Sequence, residues 1–273
     1  MHTVDKDYVL GTHDEEVARL GLQHRVWRPR ALDAWRRAGF RTGQTLLDIG
    51  CGPGWAALDL AEIVGRSGRI IAIDRSRRFL DTLDASRVLH RLTQITTAEV
   101  DLDEGSLTDV AADGAWCRWV FAFVKDPRTL LARVAQTLKP RGAIVIHEYF
   151  DYSTWRVSPA SAVLERFVET VERSWRDQGG EPNIALDLVR WLPEAGFELR
   201  ATQTLVDVIT PASYVAEWPL AFAAVGASRL VDLGYLSKAD RDAIHDALEA
   251  WRTSHDGLMV TPGVLEIIAV RTS

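Results

Sequence analysis

The glycine-rich segment 46–54 holds the residues whose types and spacing best predict ligand binding. It reads L-L-D-I-G-C-G-P-G. Gly50 and Gly52 permit positive φ angles and carry no side chain that would keep a ligand away from the backbone. The helix predicted to follow presents amide groups without partners inside the helix, so an anion or a sugar edge can dock there. A lone glycine motif can also be only a tight turn between a strand and a helix.

Two carboxylates near the glycines limit the kinds of ligand that could bind there. Asp74 ends the next predicted strand, at about the separation at which nucleotide-binding folds place the acid that accepts the ribose hydroxyls. It could instead cap the helix that begins near Ser76. Asp48 precedes the glycines inside a strand, where a buried carboxylate needs amides or a cation, and an amino-acid ligand supplies a cation. Trp55 stands where a dinucleotide fingerprint expects a small residue, which departs from the usual NAD turn.

Along the chain on both sides of this turn, short apolar runs typical of strands alternate with segments of helical periodicity. Predicted strands cover 45–49, 69–73, 95–100, 114–123, 143–146, 198–209 and 264–270, and predicted helices cover 55–64, 76–89, 126–138, 160–178, 184–195, 212–233 and 238–253. Alternating strands and helices predict an α/β fold with a doubly wound parallel sheet.

Composition limits the partners and the location. The chain has 38 acidic and 32 basic residues and a net charge of -6, so it should repel a nucleic-acid backbone. Its two cysteines, Cys51 and Cys117, form no metal-binding pattern and are expected as reduced thiols, with no metal bound. We find no signal-peptide core and no run near the roughly 18 apolar residues of a membrane span. We therefore expect a cytoplasmic protein with no membrane partner. The sequence does not decide whether the chain forms a homodimer.

The glycine segment resembles motif I of the class I, Rossmann-like S-adenosylmethionine-dependent methyltransferases, usually an apolar strand followed by D-x-G-C-G-x-G. Ile71–Asp74 resembles their ribose-binding motif, and Asp113–Trp116 resembles their F-D-x-V strand start. Leu138–Gly142 resembles their L-K-P-G-G turn, with Arg141 in place of a glycine. The likeness covers residues 45–148 and is greatest to the small-molecule enzymes grouped with ubiquinone and menaquinone biosynthesis.

This resemblance implies S-adenosylmethionine as cofactor, S-adenosylhomocysteine as product, and a small molecule methylated on O, N or C. It also implies a seven-stranded, mostly parallel sheet with an antiparallel C-terminal strand and a helical cap. Either Glu99 or Asp101 would contact adenine, and the spacing to Asp113 favours Asp101. The candidate cofactor-binding residues are Asp48, Gly50, Gly52, Asp74, Arg75, Glu99, Asp101, Arg118, Trp119, Tyr8 and His24.

Methyl transfer needs orientation above all, because the substrate nucleophile attacks an already activated methyl group. A base is required only for a nucleophile that arrives protonated. His147 is the candidate base, since it follows the predicted fifth strand and has a suitable intrinsic pKa, although it could equally pack against the sheet. Its neighbours Glu148, Tyr149, Tyr152 and Trp155 are the candidate substrate contacts.

We expect one catalytic unit with attached caps. The predicted parts are an N-terminal helical lid (1–43), a cofactor-binding core (44–150), a cap insertion (151–182) and the rest of the core (183–273) with a helical cap segment (211–256). Two other functions stay open. An NAD(P)-dependent oxidoreductase would also use the glycine turn and Asp74, although no Tyr-x-x-x-Lys pair is present, and a non-catalytic S-adenosylmethionine-binding protein would need no base.

Overall fold

The computed structural model describes residues 14–272, and a twisted sheet between helices forms its centre. The helices are α1 (Asp14–Arg37), α2 (Trp55–Val64), α3 (Arg77–Leu89), α4 (Pro127–Thr137), α5 (Ala162–Asp177), α6 (Ala185–Trp191), α7 (Glu217–Asp232) and α8 (Lys238–Arg252). The strands are β1 (Thr45–Ile49), β2 (Arg69–Asp74), β3 (Ile95–Glu99), β4 (Ala112–Arg118), β5 (Leu138–Asp151), β6 (Arg156–Ser158), β7 (Phe197–Leu205), β8 (Val208–Ile209), β9 (Leu258–Val260) and β10 (Gly263–Arg271).

Seven of these strands form one sheet in the order β3-β2-β1-β4-β5-β10-β7. The pairs among β1 to β5 are parallel, whereas β10 runs antiparallel to both β5 and β7. The predicted fold class is therefore confirmed. The strand order reverses between β1 and β4, and ligands of such sheets bind beyond the carboxyl ends of the strands at this point.

The sheet differs from the sequence-based prediction at three places. The predicted strand 114–123 ends at Arg118, and Phe121–Phe123 form a short 3-10 helix instead. β5 continues to Asp151, well past the predicted end at Ile146, because β10 pairs with it as far as Gly263. The predicted strand 198–209 is broken after Leu205, and its last residues join β6 and β9 in a small antiparallel sheet that was not predicted. Strands of two or three residues are too short to show an alternating pattern.

Aromatic side chains from several parts of the chain meet above the carboxyl end of the sheet. α5, α7 and α8 pack together there, and α1 packs against α7. We name the resulting group the aromatic cluster; its members are Trp27, Trp119, Tyr149, Tyr152, Trp155, Phe167, Trp175, Trp218 and Phe222. The division into lid, core and caps stays a prediction.

A buried carboxylate fastens the end of α1 to the sheet. Glu266 of β10 is 1% exposed, and its Oε2 lies 3.0 Å from Nε2 of His147. Its Oε1 accepts a hydrogen bond from the guanidinium of Arg37. Burial raises the pKa of Glu266, but the bonds from His147 and Arg37 outweigh burial and hold the pKa below its ordinary value.

Replacing Arg37 by methionine tests this attachment. We expect Arg37→Met to lower the free energy of unfolding by about 3 kcal/mol, because it leaves a buried carboxylate short of its cationic partner. Arg36→Met is the matched control, since Arg36 is 74% exposed and pairs with Asp33 at the surface, where such pairs contribute less than about 1 kcal/mol. Urea denaturation measures both, and equal effects would contradict the attachment.

Candidate functional site

A crevice opens where β1 and β4 end, at the reversal of the strand order. Its volume is about 1020 Å³, including space open to solvent. α1, the glycine turn, and the segments after β2, β3 and β4 all contribute to it. The lining residues are Leu20, Gln23, Asp48, Gly50, Cys51, Gly52, Pro53, Trp55, Ala56, Asp74, Arg75, Phe79, Asp101, Leu102, Asp103, Trp116, Arg118, Trp119, Val120, Phe123 and Val124.

The glycine turn needs its glycines for both backbone conformation and space. Gly50 and Gly52 have φ angles of 61° and 54°, in the left-handed region that other residues rarely adopt. A Cβ on Gly50 would lie 2.6 Å from Cγ2 of Val120, so the turn presses directly against the segment that follows β4. The sequence predicted the conformation but gave no sign of this contact.

Asp74 joins the glycine turn to the start of α3. Its Oδ2 accepts a hydrogen bond from the Gly52 amide at 2.8 Å, and its Oδ1 accepts one from the Ser76 amide at 2.8 Å. The N-cap of α3 is Ser76, whose hydroxyl accepts from the Phe79 amide. Burial raises the pKa of Asp74 above its ordinary value, while the two amides act in the opposite direction.

The two candidates for the adenine contact lie in different surroundings. Asp101 lines the crevice together with Leu102 and Asp103, and its Oδ1 accepts from the Asp103 amide at 3.0 Å. Glu99 is exposed at the end of β3 and does not line the crevice. Arg75 lines it beside Asp74. The geometry therefore favours Asp101, as the spacing did.

A carboxyl group and a guanidinium group are buried in the same crevice. Asp48 is 1% exposed, and burial raises its pKa to about 8 although Arg118 acts to lower it. Burial also lowers the pKa of Arg118 to about 10, so its guanidinium remains charged at neutral pH. Among the residues described, Oδ2 of Asp48 and Nη1 of Arg118 have no hydrogen-bond partner. Such atoms are costly to bury and are expected to meet a ligand or water.

His24 lies behind Arg118 and does not line the crevice. Its Nδ1 is 3.3 Å from Nη2 of Arg118, and its Nε2 is 3.0 Å from Oδ2 of Asp59. Because a guanidinium only donates, Nδ1 of His24 must accept, and Nε2 carries the proton that is donated to Asp59. Burial lowers the pKa of His24, which agrees with this neutral form. His24 thus orients Arg118, whose guanidinium also lies 5.2 Å from the ring centroid of Trp119.

His147 is placed away from the crevice, contrary to the expectation from its position. It is fully buried within β5, its Nε2 bonds to Glu266, and burial lowers its pKa. Because β5 continues to Asp151, His147 is a strand residue paired with β10 and does not lie beyond a strand end. A catalytic role for His147 stays a prediction without support from this geometry.

The predicted substrate contacts also lie outside the crevice lining. Glu148 is fully buried, and its Oε1 accepts from the amides of Val120 and Phe121. Tyr149, Tyr152 and Trp155 are at most 4% exposed and belong to the aromatic cluster. The same extension of β5 explains why Glu148 and Tyr149 do not project from a loop. Tyr8, a predicted cofactor contact, lies outside the described residues.

Several crevice residues were not identified from the sequence. Gln23 of α1 lines the crevice, and its Oε1 accepts from Arg19, which in turn bonds to Glu16. Spacings of three and four residues place these polar side chains on one helix face, and this periodicity was the available signal. Trp55 lines the crevice and meets Gly21, where an added Cβ would lie 3.1 Å from the indole. No pattern in the sequence indicates that contact.

Among residues 14–272, no three His, Cys, Asp or Glu side chains are grouped so that they could hold a metal ion. The helices found there are all too short or too polar to cross a membrane.

Gly50→Ala tests the contact between the glycine turn and Val120. We expect the free energy of unfolding to fall by about 3 kcal/mol, from the left-handed backbone and the clash together. Gly39→Ala is the matched control, because Gly39 has a φ of 80° but open space around it, so only the backbone cost of about 1–2 kcal/mol applies. Val120→Ala should restore part of the loss in Gly50→Ala, and no restoration would contradict the contact.

Comparison with known proteins finds relatives of the segment that forms much of the crevice. A model described as a methyltransferase domain matches residues 47–146. An uncharacterized protein in transposon TN4556 of Streptomyces fradiae is 36% identical over 136 residues, which are 48% of this chain and 37% of the relative. The demethylmenaquinone methyltransferase of Lactococcus lactis subsp. lactis is 31% identical over 131 residues, 46% of this chain and 49% of the relative.

A solved structure extends the likeness of the fold beyond the matched domain. The 4+2-cyclase SpnF has a TM-score of 0.54 and 21% sequence identity, covering 89% of this chain and 80% of its own. The chain spans between 37% and 62% of the length of these curated relatives, and about half of most of them. The matched segment 47–146 runs from β1 to β5 and contains the glycine turn, Asp74, Asp101 and Arg118. Residues 47–146 therefore resemble a methyltransferase domain, and the sheet around them has a Rossmann-like fold.

Proposed function

We propose that the chain transfers a methyl group from S-adenosylmethionine to a nucleophilic O, N or C atom of a small molecule. One observation carries the proposal: Asp48 and Arg118 each bury a polar atom that has no partner among the described residues, and both line one crevice. The amino-acid end of the cofactor carries an ammonium and a carboxylate. These two charges complement the Asp48 carboxylate and the Arg118 guanidinium.

The remaining lining residues fit the rest of the cofactor. Asp74 uses one lone pair of each oxygen for an amide and keeps others for ribose hydroxyls. Asp101 and the apolar Leu102 line the crevice next to each other. The carboxylate of Asp101 suits the edge of a purine, and the side chain of Leu102 suits its face. The absence of side chains at Gly50 and Gly52 lets the ligand approach the backbone. Bound S-adenosylmethionine supplies a methyl group already activated by the sulfonium.

The work of the protein in this reaction is orientation and exclusion of water. Arg118 contacts His24 and the rings of Trp116 and Trp119, and these contacts restrict the direction of its guanidinium. Trp119, Val120 and Phe123 form an apolar wall beside these charges. Holding the reactants in line can supply about 7–11 kcal/mol of the barrier reduction. We assign no general base, because His147 does not reach the crevice in this structure.

A small-molecule substrate and a cytoplasmic location complete the proposal. The net charge of -6 disfavours nucleic acid, and Cys51 and Cys117 are free thiols. The Lactococcus relative is named for a small-molecule acceptor, demethylmenaquinone. Since the chain covers only part of that relative, the identity of the acceptor and of the methylated atom stays open.

Isothermal titration with S-adenosylmethionine, S-adenosylhomocysteine and NADH tests the cofactor. We expect both sulfur ligands to bind and NADH to give no response. Binding of NADH alone would end the proposal in favour of an oxidoreductase. Transfer of a radiolabelled methyl group to extract metabolites then separates an enzyme from a non-catalytic binder. This second assay is needed because one fold hosts several reactions, as the cyclase SpnF illustrates.

Asp74→Ala measures the contribution of the ribose contact. We expect it to weaken S-adenosylhomocysteine binding by about 1–3 kcal/mol, the range for hydrogen bonds to a charged group. Asp81→Ala is the control, because Asp81 is 68% exposed on α3 and pairs only with Arg77 among the described residues. Unchanged affinity in Asp74→Ala would remove Asp74 from the site.

The raised pKa of Asp48 predicts that binding is linked to proton release. With a pKa of about 8 the free carboxyl is mostly protonated at pH 7, and a bound ammonium favours the ionised form. Binding therefore releases a proton, and affinity for S-adenosylhomocysteine should rise as pH increases from 6 to about 8. Titration in two buffers of different ionisation enthalpy measures the release. Asp48→Asn should abolish the part due to this carboxyl, and an unchanged release would contradict the assignment.

A further inference from the structure

The backbone of Trp119 adopts a conformation that its side chain disfavours. Its φ is 54°, in the left-handed region, where a bulky residue is unfavourable. Arg91 and Arg141 are the other non-glycine residues with positive φ among residues 14–272, and both lie at exposed positions. Trp119, by contrast, is 8% exposed and lines the crevice. Strain of this kind persists only where the surroundings hold it in place.

Three successive amides of this turn are held by the neighbouring strand β5. The Trp119 amide donates to the carbonyl oxygen of His147 at 2.9 Å. The amides of Val120 and Phe121 both donate to Oε1 of Glu148, at 2.5 Å and 2.7 Å. One buried carboxylate oxygen thus fixes the two peptide groups that follow the strained residue.

The same turn forms one wall of the crevice. Val120 fills the space that Gly50 leaves open, and Trp119 lies beside the Arg118 guanidinium. The indole of Trp119 is stacked between Tyr149 and Trp218, with centroid distances of 5.4 Å and 5.6 Å. A shift of this turn would therefore move the apolar wall and the surroundings of Arg118 together.

We propose that Glu148 is a positioning residue, which holds the turn 119–121 with Trp119 in its left-handed conformation and so keeps Trp119 and Arg118 in place for the cofactor. Glu148 does not line the crevice, so it acts through the turn. Only Oε1 accepts the two amides, while Oε2 has no partner among the described residues. The carbonyl of a glutamine can therefore replace it. The part of this inference that concerns cofactor binding rests on the proposed function. The part that concerns the conformation of the turn does not.

A double-mutant cycle isolates the turn from general packing. Trp119→Ala and Trp119→Gly both remove the ring, but only glycine adopts the left-handed conformation without strain. If Glu148 holds the strained turn, Glu148→Ala should reduce stability and ligand affinity strongly in the Trp119→Ala background. In the Trp119→Gly background it should reduce both only slightly. If Glu148 only fills space in the core, Glu148→Ala should have the same effect in both backgrounds. Glu148→Gln is the conservative variant that keeps an acceptor for both amides.

Two measurements are made on the full chain. We expect Glu148→Ala to raise the Kd for S-adenosylhomocysteine about tenfold in the wild type and in Trp119→Ala, and less than about twofold in Trp119→Gly. Glu148→Gln should stay within about threefold of the wild type. Without ligand, Glu148→Ala should also lower the urea concentration at the unfolding midpoint more in the wild type and in Trp119→Ala than in Trp119→Gly.

The outcomes separate this inference from the proposed function. Equal effects of Glu148→Ala in the alanine and glycine backgrounds, in both measurements, would overturn the positioning role. A Glu148→Gln variant as impaired as Glu148→Ala would overturn it too. If the wild type does not bind S-adenosylhomocysteine, the proposed function fails, and the unfolding cycle alone decides whether Glu148 holds the turn.

Discussion

The structure depends on keeping the Asp48 carboxyl and the Arg118 guanidinium apart in the same crevice. Asp48 and Arg118 influence each other's ionisation, yet each retains an atom without a partner among the described residues. A direct bond between them would neutralise both and leave nothing for a ligand. The parallel register places Asp48 opposite Trp116, two residues before Arg118, so neighbouring strands supply the two charges. His24, which bonds to Asp59, contacts Nη2 of the guanidinium.

The residues around these charges maintain the separation. Two tryptophan rings flank Arg118, and the segment after β4 is bonded to the end of β5. The extension of β5 to Asp151 is what makes these bonds possible, because it brings Glu148 beside the turn 119–121. Glu148, which the sequence predicts as a substrate contact, is thus bonded to the backbone of the segment that lines the crevice.

The sequence predicted the parts of the site that depend on short spacings. The glycine turn, Asp48, Asp74, Asp101 and Arg118 all line the crevice, since each lies within a few residues of a strand end that the apolar pattern marks. It did not predict the end of β5, because the polar run after Ile146 resembles a loop until β10 pairs with it. Gln23 and Val120 were missed for the same reason: their positions depend on contacts with distant parts of the chain.

The bond between Arg37 and Glu266 joins residues that are 229 positions apart. α1, which contributes Leu20 and Gln23 to the crevice, is thus anchored by β10. On the ribosome, α1 must wait until β10 has been synthesised before this anchor exists. Contacts between such distant residues slow folding, and the nascent β1 to β5 segment would lack this attachment of α1 until then.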